Sequence, residues 1–252
     1  MQPEVIQQLL DLNSQFYQSF GKAFAATRRK IQPGVAKLLK ELPQQGDWLD
    51  LGCGSGAVAA AWAETPGRQG CYLGVDFSPV LLQEAREAAA AATGATAEIH
   101  FLQGDLGGMD WWHQIESQSF DVISAFAVQH HIPGTALREQ ILEQVHRHLL
   151  PGGVFVFSVW QLQNSLRLMA RLQPWSRVGL SEEQVETGDV LMDWRYTLPG
   201  EPERVGLRYV HLFNQEELIG LASGCQFDLV QDFESDGKGG TLGLYQVWKN
   251  PQ

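Results

Sequence analysis

Cysteine is scarce in this chain of 252 residues: Cys53, Cys71 and Cys225 are an odd set at unrelated spacings. That argues against a disulfide framework or a zinc knot, suits a reducing cytosol, and makes a cytoplasmic location the expectation, with no metal site. No run of about 18 uninterrupted apolar residues exists, so no membrane-spanning helix is expected. The opening MQPEVIQQLLDLNSQF carries an early acid and no basic stretch, which predicts no signal peptide. Positive charge is also in short supply, with 18 Lys and Arg against 29 Asp and Glu and a net charge of −11. Taken over the whole chain, that balance argues against a polyanionic partner.

Acids are missing locally. None stands between Asp11 and Glu41, a window holding Lys22, Arg28, Arg29, Lys30, Lys37 and Lys40, and none between Glu143 and Glu182, which holds Arg147, Arg167, Arg171 and Arg177. These windows contain ten of the 18 basic residues. They are either ordinary solvated helix faces or a positive rim for an anionic substrate.

Apolar residues Val5, Leu9, Leu12, Phe16, Phe20 and Phe24 recur at helical spacing, predicting an amphipathic helix over 4–24 with a break near Gly21. A second helix opens at Pro33 and ends before Pro43. From there β-type runs (47–52, 71–76, 98–103, 120–126, 154–160) alternate with helical patterns near 57–64, 79–92, 108–115 and 135–149. Strands separated by helices of that length need crossover connections, hence a parallel sheet covered on both faces. After a further helix, FDLVQDF and LGLYQVW join through SDGKGGT as a hairpin. The fold class is α/β: a doubly wound, seven-stranded, mostly parallel sheet with a C-terminal antiparallel hairpin. One domain is expected over 1–252: a helical cap (1–45), a core (46–160), a loop-rich insertion or lid (161–207), and a terminal helix and hairpin (208–252).

The strongest chemical signal is Asp50-Leu51-Gly52-Cys53-Gly54-Ser55-Gly56, which ends the first strand and opens a helix. Glycines there permit a tight turn and close approach of backbone to a ligand, and a helix N-terminus offers unpaired N–H groups. Twenty residues on, the second strand ends in Asp76-Phe77, where a carboxylate can accept both hydroxyls of a ribose. The third ends in Gly104-Asp105-Leu106, where the carboxylate can take an adenine amino group and the following N–H a ring nitrogen. The fourth, FDVISAF, would place Ala125 under an amino-acid tail. Together these strand ends specify a nucleoside carrying a charged amino-acid tail. The rival is a nicotinamide dinucleotide in an NAD(P)-dependent oxidoreductase, since Gly52, Gly54 and Ala57 fit a loose dinucleotide fingerprint. Against it, Asp50 puts a negative charge where pyrophosphate would bind, and the terminal hairpin is not the six-stranded parallel arrangement.

The runs WLDLGCGSG, LGVDFSP, FLQGDL, FDVISAFAVQHH and LLPGGVFVFSVW resemble the class I methyltransferase family, with its Rossmann-like fold, over most of 47–160. A narrower resemblance is to the eukaryotic methyltransferases that esterify carboxymethyl groups on the wobble uridine of tRNA. It rests on Tyr17, Phe24, Thr27-Arg28 and Pro33, on His130-His131, and on Arg208-Tyr209-x-His211-x-Phe213 followed by Glu217-Leu218. The chain departs from that family at Gln32, where a Trp is usual, at the start of the last strand, and in its acidity.

The resemblance implies S-adenosyl-L-methionine as cofactor and O-methylation of a carboxylate, on a modified tRNA uridine or on a small-molecule acid. It implies cofactor contacts from Tyr17, Arg28, Asp50, Gly52, Cys53, Gly54, Gly56, Asp76, Phe77, Asp105, Leu106 and Ala125. A small activator subunit serves some members of the family. A carboxylate acceptor is ionised at pH 7 and needs no general base, in keeping with the lack of an obvious acid–base pair. His130 and His131 are read either as a hydrogen-bonded structural pair or as groups that orient the acceptor. Arg28 and Tyr17 either hold the cofactor carboxylate or belong to a surface helix. Arg208, Tyr209 and His211 are candidates for the acceptor pocket, with strand core as the alternative for the last two. Trp111-Trp112 are expected to pack. If the acceptor is tRNA, the two basic windows are expected to gather around one opening.

Overall fold

A computed structural model of the chain describes residues 1–26, 30–92, 98–197 and 203–251. Seven strands form one sheet in the order β3-β2-β1-β4-β5-β10-β9. These are β1 (Trp48–Leu51), β2 (Cys71–Asp76), β3 (Glu98–Gln103), β4 (Phe120–Phe126), β5 (Leu149–Trp160), β9 (Asp228–Ser235) and β10 (Gly243–Lys249). The first five pair in parallel, and β10 runs antiparallel to both β5 and β9. The strand order reverses between β1 and β4. In an open α/β sheet that switch point leaves a crevice at the carboxyl ends of the strands, where ligands bind.

Two-residue alternation divides the sheet into two cores. Leu49, Leu51, Val75, Ile123, Phe155 and Phe157 pack against α5 (Thr135–His148) and α7 (Gln215–Gly224). Trp48, Tyr72, Val122, Val156 and Tyr245 face α2 (Pro33–Glu41) and α3 (Ala57–Ala63). Local signals set the helix starts. Pro33 and Pro79 occupy first-turn positions, Ser78 accepts from Leu81 N–H at the start of α4 (Pro79–Ala91), and Asn214 accepts from Glu217 N–H at the start of α7. The first helix, α1 (Pro3–Ala26), continues through Gly21 instead of breaking there.

The segment 161–207, expected to be loop-rich, contains regular structure. A short helix, α6 (Leu166–Met169), leads into a second, antiparallel sheet of β6 (Leu172–Gln173), β7 (Asp189–Tyr196) and β8 (Arg204–His211). The strand signal in DVLMDWRY is masked because Asp189 and Asp193 occupy buried positions where an apolar residue would be expected. They are tolerated because they are partnered: His211 meets Asp189 at 2.7 Å and Arg195 meets Asp193 at 3.0 Å. Helix α1 lies on this sheet through Leu9 and Phe16, and Asn13 bonds both the N–H and the C=O of Tyr209. The described residues contain no helix long and apolar enough to cross a membrane.

Gly56 shows what the glycine turn contributes to packing. Its φ is +78°, and a Cβ built there would lie 2.7 Å from the Cα of Ala85 in α4. Backbone, rather than a flexible side chain, blocks the site. Gly56→Ala is therefore expected to cost more than the ~1–2 kcal/mol of a left-handed alanine alone, read as a lowered urea midpoint at unchanged slope.

Candidate cofactor and acceptor site

One cavity of about 570 Å³ opens at the carboxyl ends of β1, β2, β3 and β4. Its floor is the turn from Gly52 to Ser55. Gly54 differs from Gly56: its φ is +54° and a Cβ there would meet nothing within 4 Å, so the open space above it belongs to the cavity. The Gly54 N–H is already committed, donating to Asp76 Oδ2 at 2.9 Å, while Ser78 N–H donates to Asp76 Oδ1 at 2.9 Å. This joins the ends of β1 and β2. A carboxylate has about four lone-pair sites, so Asp76 retains acceptor capacity on its cavity side.

Asp50 lines the cavity wall but is 2% exposed, and its two oxygens accept from Ser124 Oγ at 2.6 Å and Tyr72 Oη at 2.5 Å. Burial pushes its carboxyl up to about 6 against the lowering effect of those two bonds, and Asp76 adds to the rise. Burial likewise raises Asp76 and, together with the charges of Asp50 and Asp76, holds the Cys53 thiol well above its ordinary range, so that thiol is unreactive near neutral pH. Phe77, Asp105 and Leu106 also line the cavity, with Asp105 Oδ1 accepting from Gly107 N–H at 2.9 Å.

Sheets and α1 divide the remaining candidates. Tyr17 and His131 meet in the cavity, Oη to Nε2 at 3.0 Å, and His131 Nδ1 lies 3.2 Å from the Tyr209 carbonyl. A carbonyl only accepts, so Nδ1 carries the proton, and in the neutral ring Nε2 accepts from the tyrosine. Arg208 also reaches the cavity; it is buried, with its guanidinium 4.5 Å from the Trp160 ring centre and 5.2 Å from that of Phe16.

Five described candidates do not line it: Gly56, which packs against the Ala85 backbone, and four others. Ala125 points into the core beneath α5, because alternation along β4 gives the cavity Phe126 and then Ala127 and Val128 beyond the strand end. His130 is fully buried, accepts from Trp160 N–H at 3.3 Å and lies 4.3 Å from that ring. Tyr209 and His211 occupy the face of β8 opposite Arg208, where Tyr209 Oη and His211 Nδ1 both meet Asp189 Oδ1 at 2.7 Å. Arg28 lies outside the described residues. Trp111 and Trp112 are buried and stacked at 4.1 Å, as packing requires.

The positive rim also needs correction. Lys30 lines the cavity, but Lys40 and Arg147 sit in the last turns of α2 and α5, which lead into the amino ends of β1 and β5 at the opposite edge. Lys37 pairs with Glu41 and covers the Phe233 ring. Proximity to strands in sequence does not say which edge a helix end reaches. Sequence reasoning missed Trp160, Leu168, Met192 and Asp236 in the cavity wall. For Asp236 a signal existed, since SDGKGGT begins where a strand ends; Met192 was hidden in the unrecognised β7. At the opposite edge of the sheet, half-buried Cys71 and the exposed Glu98 and His100 bring ligand-type atoms within 4.8 Å of one another.

Residues 49–155 match the model of a methyltransferase domain family. The fold resembles a solved S-adenosylmethionine-dependent methyltransferase from Clostridium acetobutylicum, with a TM-score of 0.66 and 17% identity over 94% of this chain and 98% of that one. It also resembles an amino pentose methyltransferase from Micromonospora echinaspora solved with S-adenosylmethionine bound, at 0.61 and 18% over 93% and 98%. Fold, switch-point cavity and family match make the chain an S-adenosylmethionine-dependent methyltransferase. Over 223 residues it is 29% identical to the tRNA (carboxymethyluridine(34)-5-O)-methyltransferase of Schizosaccharomyces pombe, spanning 81% of this chain and 83% of that relative.

The raised Asp50 carboxyl has a measurable consequence. An unfolded aspartate titrates near 3.9, so the folded chain holds this proton more tightly, and stability falls as pH rises from about 4 through about 6. The expected loss is about 3 kcal/mol, and Asp50→Asn should be spared it. Urea unfolding of both proteins at pH 4 and pH 7.5 checks this; an unchanged difference between them would contradict the assignment.

Proposed function

We propose that this enzyme transfers the methyl group to a carboxylate oxygen, that of a carboxymethyl group on the wobble uridine of a tRNA. The observation that carries the reading is Arg208: a buried guanidinium facing the cavity between two aromatic rings, on the same wall as His131 and Tyr17. A permanent positive charge in a low-dielectric wall favours an anionic acceptor and disfavours a protonated amine. The name of the S. pombe relative supplies the class of acid.

The cavity suits the cofactor. Gly54 leaves room for close approach, Asp76 keeps lone pairs for a ribose, and Asp105 with the Leu106 N–H stands where an adenine edge is expected. S-adenosylmethionine, when bound, supplies an electrophilic methyl on a sulfonium. The protein's part is alignment, worth roughly 7–11 kcal/mol when reacting groups are held in near-attack geometry. Arg208 holds the acceptor carboxylate, which is already ionised, and the His131–Tyr17 pair shapes the wall beside it. With its Nε2 engaged by Tyr17, His131 orients the acceptor and removes no proton.

Cofactor binding should weaken at least tenfold in Asp76→Ala, from loss of charged hydrogen bonds worth roughly 1.5–3 kcal/mol, and should be abolished in Gly54→Val, whose side chain fills the open space. Calorimetry with S-adenosylhomocysteine on folded variants decides it; normal affinity in either would remove that residue from the site.

For the acceptor, Arg208→Gln should raise KM by roughly 10- to 150-fold, again 1.5–3 kcal/mol, with cofactor affinity unchanged. Nucleoside mass spectrometry of total tRNA from a deletion strain should show the free carboxymethyluridine accumulating. With three or four contacts to a single-stranded loop, log affinity against log salt should fall with a slope of roughly −2 to −3. Unchanged nucleosides and a flat salt response, with turnover on a free carboxylic acid, would replace the tRNA by a small acid, which the net charge of −11 also suits.

A further inference from the structure

Behind the acceptor wall lies a cluster of buried charge that no step above uses. His211, 1% exposed on β8, has Nδ1 2.7 Å from Asp189 Oδ1 of β7 and Nε2 2.8 Å from Glu217 Oε1 of α7. Arg138 of α5 pairs with Glu217 at 3.6 Å and with Glu186 at 2.8 Å, and the amino group of Met1 lies 3.7 Å from Glu186. Tyr209 Oη donates to the same Asp189 oxygen, and the Phe213 ring packs on the imidazole at 4.6 Å. Both ring nitrogens of His211 thus meet carboxylates, which only accept when ionised, so the geometry asks for two N–H donors: an imidazolium. A neutral ring would turn a lone pair toward one of the two acids.

The cluster bears on the cavity through β8. Tyr209 and His211 project to the cluster, while Arg208, between them and Gly206, projects to the cavity. The Tyr209 backbone also meets His131 Nδ1 through its carbonyl and Asn13 through both its N–H and carbonyl. The backbone of one strand thus connects His211 with both Arg208 and His131.

We infer that His211, as an imidazolium clamped between Asp189 and Glu217, is a positioning residue that holds β8 so that Arg208 faces the acceptor, and that loss of its proton loosens acceptor binding while leaving the cofactor half of the cavity intact. Burial by itself would lower the pKa of this histidine, but the bonds to Asp189 and Glu217 outweigh it and hold the group above the ordinary imidazole range. Arg138 opposes them. The stabilisation is therefore complete at low pH and is lost as pH rises through the raised value. The functional half of this inference rests on the proposed role of Arg208.

The test is arranged to separate the two. NMR of the imidazole nitrogens in the apo protein should show both protonated at pH 6, with a midpoint above about 6.5. The Arg208 Nε–H and Trp160 indole signals should move with the same midpoint. In Glu217→Gln an amide can donate to a neutral ring, so the His211 midpoint should fall and the Arg208 and Trp160 signals should no longer follow pH between 6 and 9. His211→Ala should shift those signals at every pH. With a working acceptor, KM should rise severalfold above the midpoint in the wild type alone, with the Kd for S-adenosylhomocysteine constant. A ring with a single protonated nitrogen at pH 6, or Arg208 and Trp160 signals that ignore the titration of His211, would overturn the clamp whatever the acceptor is. Coupled signals with a pH-independent acceptor KM would instead leave the clamp standing and count against Arg208 as the acceptor's anchor.

Discussion

An extended chain turns successive side chains to opposite sides, and in this molecule that repeat decides which residues meet ligand and which support it. Along β1 it sends Leu49 and Leu51 to the α5 core and Asp50 to the other side, beside the cavity. Along β4 it buries Ala125 and leaves contact with the cavity to the residues after it. Along β8 it separates Arg208 from Tyr209 and His211. A one-residue slip of β8 would exchange the guanidinium for a tyrosine and send the arginine among the acids. Register is therefore a chemical property of this site, and the structure spends buried polar groups on it: Asn13 on the Tyr209 backbone, Asp189 on Tyr209 and His211, and Gly54 N–H on Asp76.

That repeat also explains what could be read in advance. The sheet was legible because its strands are apolar runs closed by glycine turns or crossover helices, signals carried by a few adjacent residues. The half of the cavity at the glycine turn was legible for the same reason: Asp50, Gly52, Gly54, Asp76 and Asp105 stand at or just beyond strand ends, and all line the cavity. The acceptor half was not. It depends on α1, which meets β8 across a sequence separation of 196 residues at Asn13 and Tyr209, and on buried acids that disguise β7 as a loop. Tyr209 and His211 belong to the right motif but to its far face, a distinction that needs the strand's orientation. The basic windows misled for a related reason, since composition carries no information about which end of a helix meets which edge of a sheet.

The two glycines of the turn separate packing from binding within three residues. Gly56 is required because the backbone of Ala85 occupies the space of a side chain. Gly54 faces nothing in the protein, yet keeps a backbone that favours glycine, φ +54°. Glycine holds that conformation without strain, and the open space beside it belongs to the cavity. Cys53 between them is sealed by burial and by Asp50 and Asp76, so the turn exposes backbone and open space and no reactive thiol.

Charge in the acceptor half is arranged as two layers separated by the thickness of one strand. On the far side, Asp189, Glu217 and Glu186 are met by His211 and Arg138; on the near side, Arg208 stands between the faces of Trp160 and Phe16. Aromatic faces stabilise a guanidinium. β8 keeps these acids on the face away from Arg208. The same acids would repel an anionic acceptor if they stood in front, and behind β8 they hold the arginine's strand instead. The enzyme is acidic overall, yet Arg208 reaches the cavity, and the proposed preference for an anionic acceptor rests on which face of a single strand each charge occupies.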